Sequence, residues 1–396
     1  MAEWVERKIS DIGTVVGGAT PSTKKPENYK DGKIAWITPK DLSTFSSRYI
    51  ERGERNITEI GLKSCSTQLL PPNTVLFSSR APIGYVAIAT NGVCTNQGFK
   101  SVIPNENTDP LFLFYLLKYN KDKIEEMGSG TTFKEVSGNT MKNIVVNVPT
   151  DKKVQEKIAA ILGSIDDKIE ENEQINNNLL EQVLTLYRNK FVDTANNERA
   201  ICCADEYFDI SIGKTPPRKE PQWFSTNPQD VTWVSISDMG TCGLYISSSS
   251  EQLTKQAVER HNVKVVPDNT VLLSFKLTIG RIAITNGEMT TNEAIAHFKT
   301  DKKEINEYLY CYLKCFNYQT MGSTSSIATA VNSKIIKGMP FVVPTNDELE
   351  EFHGFAAPMF AKIKANQIET DNLTALRDTL LPKLMSGELD VSNIEI

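Results

Sequence analysis

Two short polar loops concentrate the side chains of this chain best placed for chemistry. Ser78-Ser79-Arg80-Ala81-Pro82-Ile83-Gly84 follows Val75-Leu76-Phe77, and Ser274-Phe275-Lys276-Leu277-Thr278-Ile279-Gly280 follows Val271-Leu272-Leu273 almost half the chain length later. Both runs are preceded by Pro-X-Asn-Thr. A cation beside hydroxyls, carried between apolar strands, suits hydrogen bonding to an anionic or polar partner. Two more loops repeat in the same register: Gly18-X-Thr20-Pro21 with Gly213-X-Thr215-Pro216, and Met127-Gly128-Ser129 with Met321-Gly322-Ser323.

Bond-making constellations do not accompany these loops. Gly213-Lys214-Thr215 looks like the end of a phosphate loop, but Phe208 stands where its leading Gly belongs. Pro216-Pro217 then prevents the helix whose N-terminus would hold the phosphate. Asn227-Pro228-Gln229-Asp230 and Asp109-Pro110-Leu111-Phe112 begin like an amino-methyltransferase motif, but both lack its second Pro and a Gly-rich cofactor loop. Nucleophile elbows, His-Glu-X-X-His and a nuclease carboxylate pair beside a Lys are missing as well. The chain reads as a non-enzyme that binds no cofactor or metal of its own.

The loops need elements to hold them, and those elements repeat too. Trp36-Ile37 matches Trp233-Val234, Thr95-Asn96 matches Thr291-Asn292, and Ile144–Thr150 matches Met339–Thr345. Lys33–Ile37, Thr74–Phe77 and Tyr85–Ala89 are short apolar runs bounded by Gly, Pro, Asn and Ser, which predicts strands. Leu111–Leu117 and Tyr308–Leu313 predict one helix per copy. Trp36 and Trp233 read as core residues, and Cys311 and Cys315 as small hydrophobes on one helix face.

Two long helical stretches follow the copies. In the first, Ile158, Leu162, Ile165, Ile169, Asn172, Asn176, Leu179, Val183 and Leu186 alternate steps of four and three, the coiled-coil pattern. The second gives Phe352, Ala356, Met359, Ile363, Asn366, Thr370, Leu373, Arg377 and Leu380, with Pro358 predicting a kink or a restart. Each seam is polar at its centre. Antiparallel pairing would bring Asn172 and Asn176 to Asn366 and Thr370, where they would lock the register; the alternative is that each helix packs on its own body.

These elements divide the chain into a first body (residues 1–150), a central helix (151–195), a second body (196–345) and a distal helix with its tail (346–396). The expected fold class is α+β: two similar mixed α/β bodies, a pseudo-two-fold internal repeat, and two long helices. With 40% hydrophobic and 23% charged residues the composition is that of a soluble globular protein. It has no apolar run long enough for a membrane span and no secretory pattern at its start, and its seven cysteines form no Cys-X-X-Cys; a cytoplasmic location is expected. The net charge is −6, yet residues 151–190 carry −2 and 346–396 carry −6, so the two bodies are together mildly basic. Mild basicity permits phosphate contact.

The repeat, the helices and the ending Leu376-Arg377-Asp378-Thr379-Leu380-Leu381-Pro382-Lys383-Leu384-Met385-Ser386-Gly387-Glu388-Leu389-Asp390 resemble the specificity subunits of type I restriction–modification systems. The Ser78–Gly84 loop and Gly128-Ser129-Gly130-Thr131-Thr132 share in that resemblance, which covers nearly the whole chain. It implies two target-recognition domains, each docking on one half of a split double-stranded DNA target. It also implies an antiparallel coiled coil that sets the gap between half-sites. The implied partners are two methyltransferase subunits using S-adenosylmethionine to methylate adenine, joined in the full complex by ATP-driven restriction subunits. Bases are told apart in the major groove by the side-chain types found in these loops.

On that resemblance the expected DNA contacts of the first body are Thr20, Ser22, Lys24 and Lys25, then Ser78, Ser79 and Arg80, then Thr131, Thr132 and Lys134. In the second they are Lys214, Arg218 and Lys219, then Lys276 and Arg281, then Ser323, Thr324 and Ser325. Each could instead be a solvated loop residue or a turn stabiliser. The second copy departs at Ser274-Phe275-Lys276-Leu277, which points to a different half-site or a structural role. Two other readings stay open: a rod with two protein-binding modules, and a fused enzyme with an unrecognised site. The repeats and helices leave little chain for the latter.

Overall fold

The computed structural model describes residues 2–130, 134–194, 199–321, 331–392 and 394. The chain divides into two compact units, Met1–Glu170 with Asp371–Ile396, and Glu171–Thr370, so both long helices contribute to both units.

In the first unit a five-stranded sheet runs in the order Gly13–Gly17, Lys100–Pro104, Val75–Ser79, Ile83–Ala89, Tyr49–Ile50. The second unit repeats that order with Asp209–Ile212, Ile295–Lys299, Val271–Ser274, Ile282–Thr285 and Tyr245–Ile246. In each, only the last pairing is parallel. The central strand is buried on both faces, because successive side chains alternate sides. Val75 and Phe77 enter a core with the helix Pro110–Tyr119, while Leu76 joins Ala87, Ala89 and Phe99 on the opposite face. Val271 and Leu273 are likewise separated from Leu272. A smaller sheet carries Trp36 in the first body and Trp233 in the second: Ile34–Ile37 pairs with Arg55–Ile57 and Val93–Thr95, and Val231–Val234 pairs with Glu251–Leu253 and Thr290–Thr291.

The helix Pro110–Tyr119 starts where its sequence says it should. The Asp109 carboxylate accepts from the Phe112 N–H at 2.7 Å, and Pro110 occupies the first turn, where no N–H is required. Its counterpart Asn306–Cys315 buries Cys311 completely and Cys315 in part within the second core.

The first long helix spans Lys152–Tyr187 and ends in a π-helical turn, Arg188–Asp193. The second spans Asn346–Met385 without a break, so the restart expected at Pro358 does not occur. Pro358 and Gly354 both lie on the exposed face. The Gly354 carbonyl, which loses its helical donor to the proline, therefore opens to water instead of being stranded in the core.

Within each unit the two helices pair antiparallel. In the first unit Asp166 is buried and accepts from Arg377 Nη1 at 2.9 Å and from the Tyr115 hydroxyl at 2.6 Å. Arg48, also buried, donates to the Gly163 carbonyl at 3.2 Å, to Glu170 at 3.3 Å and to Asp167, tying the edge strand to the helix. Leu384, Met385 and Val391 complete this core. In the second unit Gln367 exchanges two hydrogen bonds with the backbone of Tyr245, at 2.9 and 3.1 Å, so its edge strand is held by the distal helix.

The polar seam residues all fall in the second unit. Asn366 Nδ2 donates to Asn176 Oδ1 at 2.8 Å, and Asn172 Nδ2 donates to Glu369 at 2.9 Å. Asn172 Oδ1, Asn366 Oδ1 and Thr370 Oγ1 are buried without a hydrogen-bond partner among the described residues. Each such atom costs roughly 1–3 kcal/mol. Replacing Asn172, Asn176 and Asn366 with Leu and Thr370 with Val is therefore expected to raise the thermal midpoint by a few degrees, read by calorimetry, while broadening side-chain NMR signals. A sharp drop in midpoint would show that the layer stabilises the pairing.

Candidate nucleic-acid interface

In the first body, the loop leaving strand Gly13–Gly17 is pinned to the turn Thr95-Asn96-Gln97-Gly98. Ala19 N donates to the Thr95 carbonyl at 3.0 Å, and Trp36 Nε1 donates to the Ala19 carbonyl at 3.1 Å. A Cβ at Gly18 would overlap the Asn96 and Thr95 carbonyl oxygens, so the close approach demands glycine. The Thr20 hydroxyl bonds Gln97 Oε1, while Ser22, Lys24 and Lys25 are exposed.

The second loop reaches the same turn through Ser79 N, which donates to the Gly98 carbonyl at 2.7 Å. Ser78 and Ser79 have no exposed surface. The Ser78 hydroxyl donates to the Pro82 carbonyl at 2.9 Å and accepts from Tyr85 N at 2.8 Å, and the Ser79 hydroxyl donates to the Gly98 carbonyl at 3.1 Å. Their expected place among the DNA contacts is corrected on that ground: buried hydroxyls spent on the backbone hold the loop and cannot meet a groove. Arg80 is half-exposed, 3.6 Å from Glu135, which also lies 3.5 Å from Lys100. Ser129 and Glu135 exchange backbone hydrogen bonds at 3.1 and 2.9 Å, which sets exposed Lys134 next to this group. Thr131 and Thr132 lie outside the described residues.

The second body reproduces this skeleton. Lys214 N donates to the Thr291 carbonyl at 2.9 Å, Trp233 Nε1 to the Lys214 carbonyl at 3.2 Å, and Phe275 N to the Ala294 carbonyl at 2.9 Å. The Ser274 hydroxyl donates to the Thr278 carbonyl at 2.7 Å and accepts from Arg281 N at 3.0 Å, as Ser78 does in the first copy. Thr215 bonds Glu293 where Thr20 bonds Gln97. Lys214, Lys219 and Lys276 are exposed. Arg218 lies over the rings of Phe224 and Trp233, at 4.2 and 4.7 Å, and reaches both Glu251 oxygens at 2.9 Å. Arg281 is corrected to an internal tie, since its guanidinium packs on Gly240 and donates to the Ile236 carbonyl at 2.6 Å. Ser323, Thr324 and Ser325 lie outside the described residues.

The sequence reading missed the turn itself. Gln97 and Glu293 are exposed and sit between the two loops of their bodies. In the sequence the Thr-Asn repeat marks register and gives no sign of the convergence. Partial burial works against ionisation of Glu293, yet the Thr215 hydroxyl, its own backbone and the nearby Lys276 and Arg218 hold its carboxyl below the usual range.

Beneath the second turn, His297 is fully buried between Ser211, 3.0 Å from Nδ1, and Thr291, 2.7 Å from Nε2. Burial, helped by Lys299, pushes its pKa down to about 3.

A family model described as the type I restriction modification DNA specificity domain matches residues 1–181 and again residues 201–367. The chain is 33% identical to the type I restriction enzyme MjaIX specificity subunit of Methanocaldococcus jannaschii, over 99% of this chain and 95% of that protein. It is 24% identical to the type I restriction enzyme HindI specificity subunit of Haemophilus influenzae, over 98% of this chain and 100% of that protein. Its fold is similar to the crystal structure of the type I restriction-modification system S subunit from M. genitalium, with a TM-score of 0.61 and 16% identity, covering 97% and 96% of the two chains.

The His297 geometry generates a pH prediction. A histidine whose folded pKa lies below its unfolded value of about 6.5 adds stability that is complete above pH 6.5 and lost as pH falls toward 3. Between pH 6.5 and 5 the loss is about 1.5 kcal/mol. Denaturant titrations at both pH values should show this slope in the wild type and a flatter one in His297→Asn.

Proposed function

This chain belongs to the type I restriction–modification DNA specificity family, and on that premise we propose how its two bodies are used. Its work is DNA sequence recognition and assembly with the other subunits of such a system, and it is a non-catalytic subunit. Each body docks on one half of a split double-stranded DNA target through its two clamped loops, and two methyltransferase subunits join the chain. S-adenosylmethionine and ATP go to those partners and to restriction subunits, and this chain binds neither. The observation that carries the reading is the duplication itself: one family match and one hydrogen-bond skeleton, each present twice on a single chain. Loop bases such as Lys24, Lys25, Arg80, Lys134, Lys214, Lys219 and Lys276 supply phosphate or base contacts. The half-exposed Arg80–Glu135 pair is worth about 0–1 kcal/mol and is readily exchanged for a phosphate.

No helix among the described residues is long and apolar enough to cross a membrane, and all seven cysteines are free thiols. Free thiols fit the reducing cytoplasm, where we place the complex.

Sequencing of methylated DNA from cells expressing this chain with its methyltransferase tests the proposal. A split motif with adenine methylated in each half is expected. A complex that forms without new methylation would favour a protein scaffold. Arg80→Ala is expected to weaken DNA binding by the assembly and to flatten its salt dependence by about one phosphate contact; unchanged binding would remove Arg80 from the interface. Inserting four residues near Asn176 and near Asn366 should lengthen the helices by roughly 6 Å and widen the preferred gap. An unaltered gap would mean that the helices do not set it.

A further inference from the structure

The two bodies share a backbone cradle but mount different side chains at two equivalent points. The first point is the turn, where Gln97 in one body answers Glu293 in the other; both are exposed, and each has one side-chain oxygen bonded to the loop threonine. The second is the residue after the loop cation, Ala81 or Leu277. Both have left-handed backbones, with φ of 44° and 59°. Leu277 is also fully exposed, at 103% of its reference surface. A leucine in that conformation, with no apolar cover, is unusual twice over.

Neither difference suits a phosphate. A carboxylate repels one, and the cations near Glu293, Lys276 and Arg218, already supply attraction to the backbone. What a carboxylate can do in a groove is accept from an exocyclic amino group, and what an aliphatic tip can do is cover the thymine methyl. A glutamine held through Oε1 still has two N–H donors and a second acceptor lone pair, the set that reads adenine from the major groove.

We propose that positions 97/293 and 81/277 determine which bases the two bodies distinguish. In the second body Glu293 takes an amino group of cytosine or adenine and Leu277 meets a thymine methyl. In the first, Gln97 offers a donor–acceptor pair and Ala81 leaves the apolar contact unmade. This assignment rests on the DNA-recognition reading given above.

The test uses the full chain assembled with its methyltransferase, and it reads each half-site separately by methylation sequencing over a randomised target library. E293Q, L277A, their double variant and the reciprocal Q97E/A81L are compared with wild type. Thermal melts and copurification of the methyltransferase accompany each. L277G accepts the left-handed backbone without strain and keeps the test valid should L277A fold poorly. The second-body variants are expected to change base preference by about ten-fold at one or two positions of one half-site only. The first-body swap should act on the other half. Three results would overturn the assignment: unchanged preferences at full methylation, an even loss across all sequences, or lost methyltransferase copurification in the Leu277 variants, which would make that residue a protein contact. A wild type that writes no split motif would instead remove the DNA reading on which this stands.

Discussion

One backbone turn in each body holds two distant loops in place. In the first, Asn96 N donates to the Ile37 carbonyl at 3.0 Å, the Thr95 carbonyl receives the glycine loop, and the Gly98 carbonyl receives the serine loop. The Asn96 side chain closes the turn by accepting from Gly98 N at 2.8 Å. Asn292 does the same for the second body, accepting from Ala294 N at 3.1 Å. Three segments far apart in sequence therefore meet at four residues, tied by backbone groups and closed by the half-buried Asn96 and Asn292 side chains. Backbone ties of this kind let exposed side chains differ between the two bodies on one frame, as Gln97 and Glu293 do.

The charge distribution follows from that division of labour. A protein that relied on its net charge to bind DNA would carry far more than a mildly basic pair of bodies, since nonspecific affinity grows with each phosphate neutralised. Here cations are few, local and interleaved with acids: Arg80 and Lys100 around Glu135, and Lys276 and Arg218 around Glu293. On the proposed interface, acids beside the cations would lower general affinity and penalise wrong partners, so that discrimination gains relative to attraction.

Much of this was legible from residue types and spacing. The internal register located every clamped loop, and the strand and helix patterns around Trp36, Val75 and Leu111 correspond to Ile34–Ile37, Val75–Ser79 and Pro110–Tyr119. What escaped depended on depth. Ser78 and Ser79 look like solvent-facing loop residues until Gly98 and Pro82 are brought over them. Arg281 looks like a free cation until the Ile236 carbonyl is found within reach. Pro358 reads as a kink or a restart because its cost depends on which face it occupies, and an exposed face lets the helix run through it without restarting. Gln97 and Glu293 had a signal, a polar difference inside a matched Thr-Asn register, but it gains meaning only when both loops are seen to converge there.

The seam poses a different balance. Three buried polar atoms without partners are a net cost, and an apolar layer would pack at least as well. Leucine, however, tolerates sliding, because one apolar contact is much like the next. Asn176 with Asn366, Asn172 with Glu369 and, in the first unit, Asp166 with Arg377 are each satisfied at a single stagger. A slip by one turn, about 5.4 Å, would separate the partners of every pair within its unit at once. On the proposal that the helices set the gap between half-sites, one permitted register matters more than the last increment of stability. The unsatisfied seam is consistent with that need, because its polar groups penalise every other alignment more than they weaken this one.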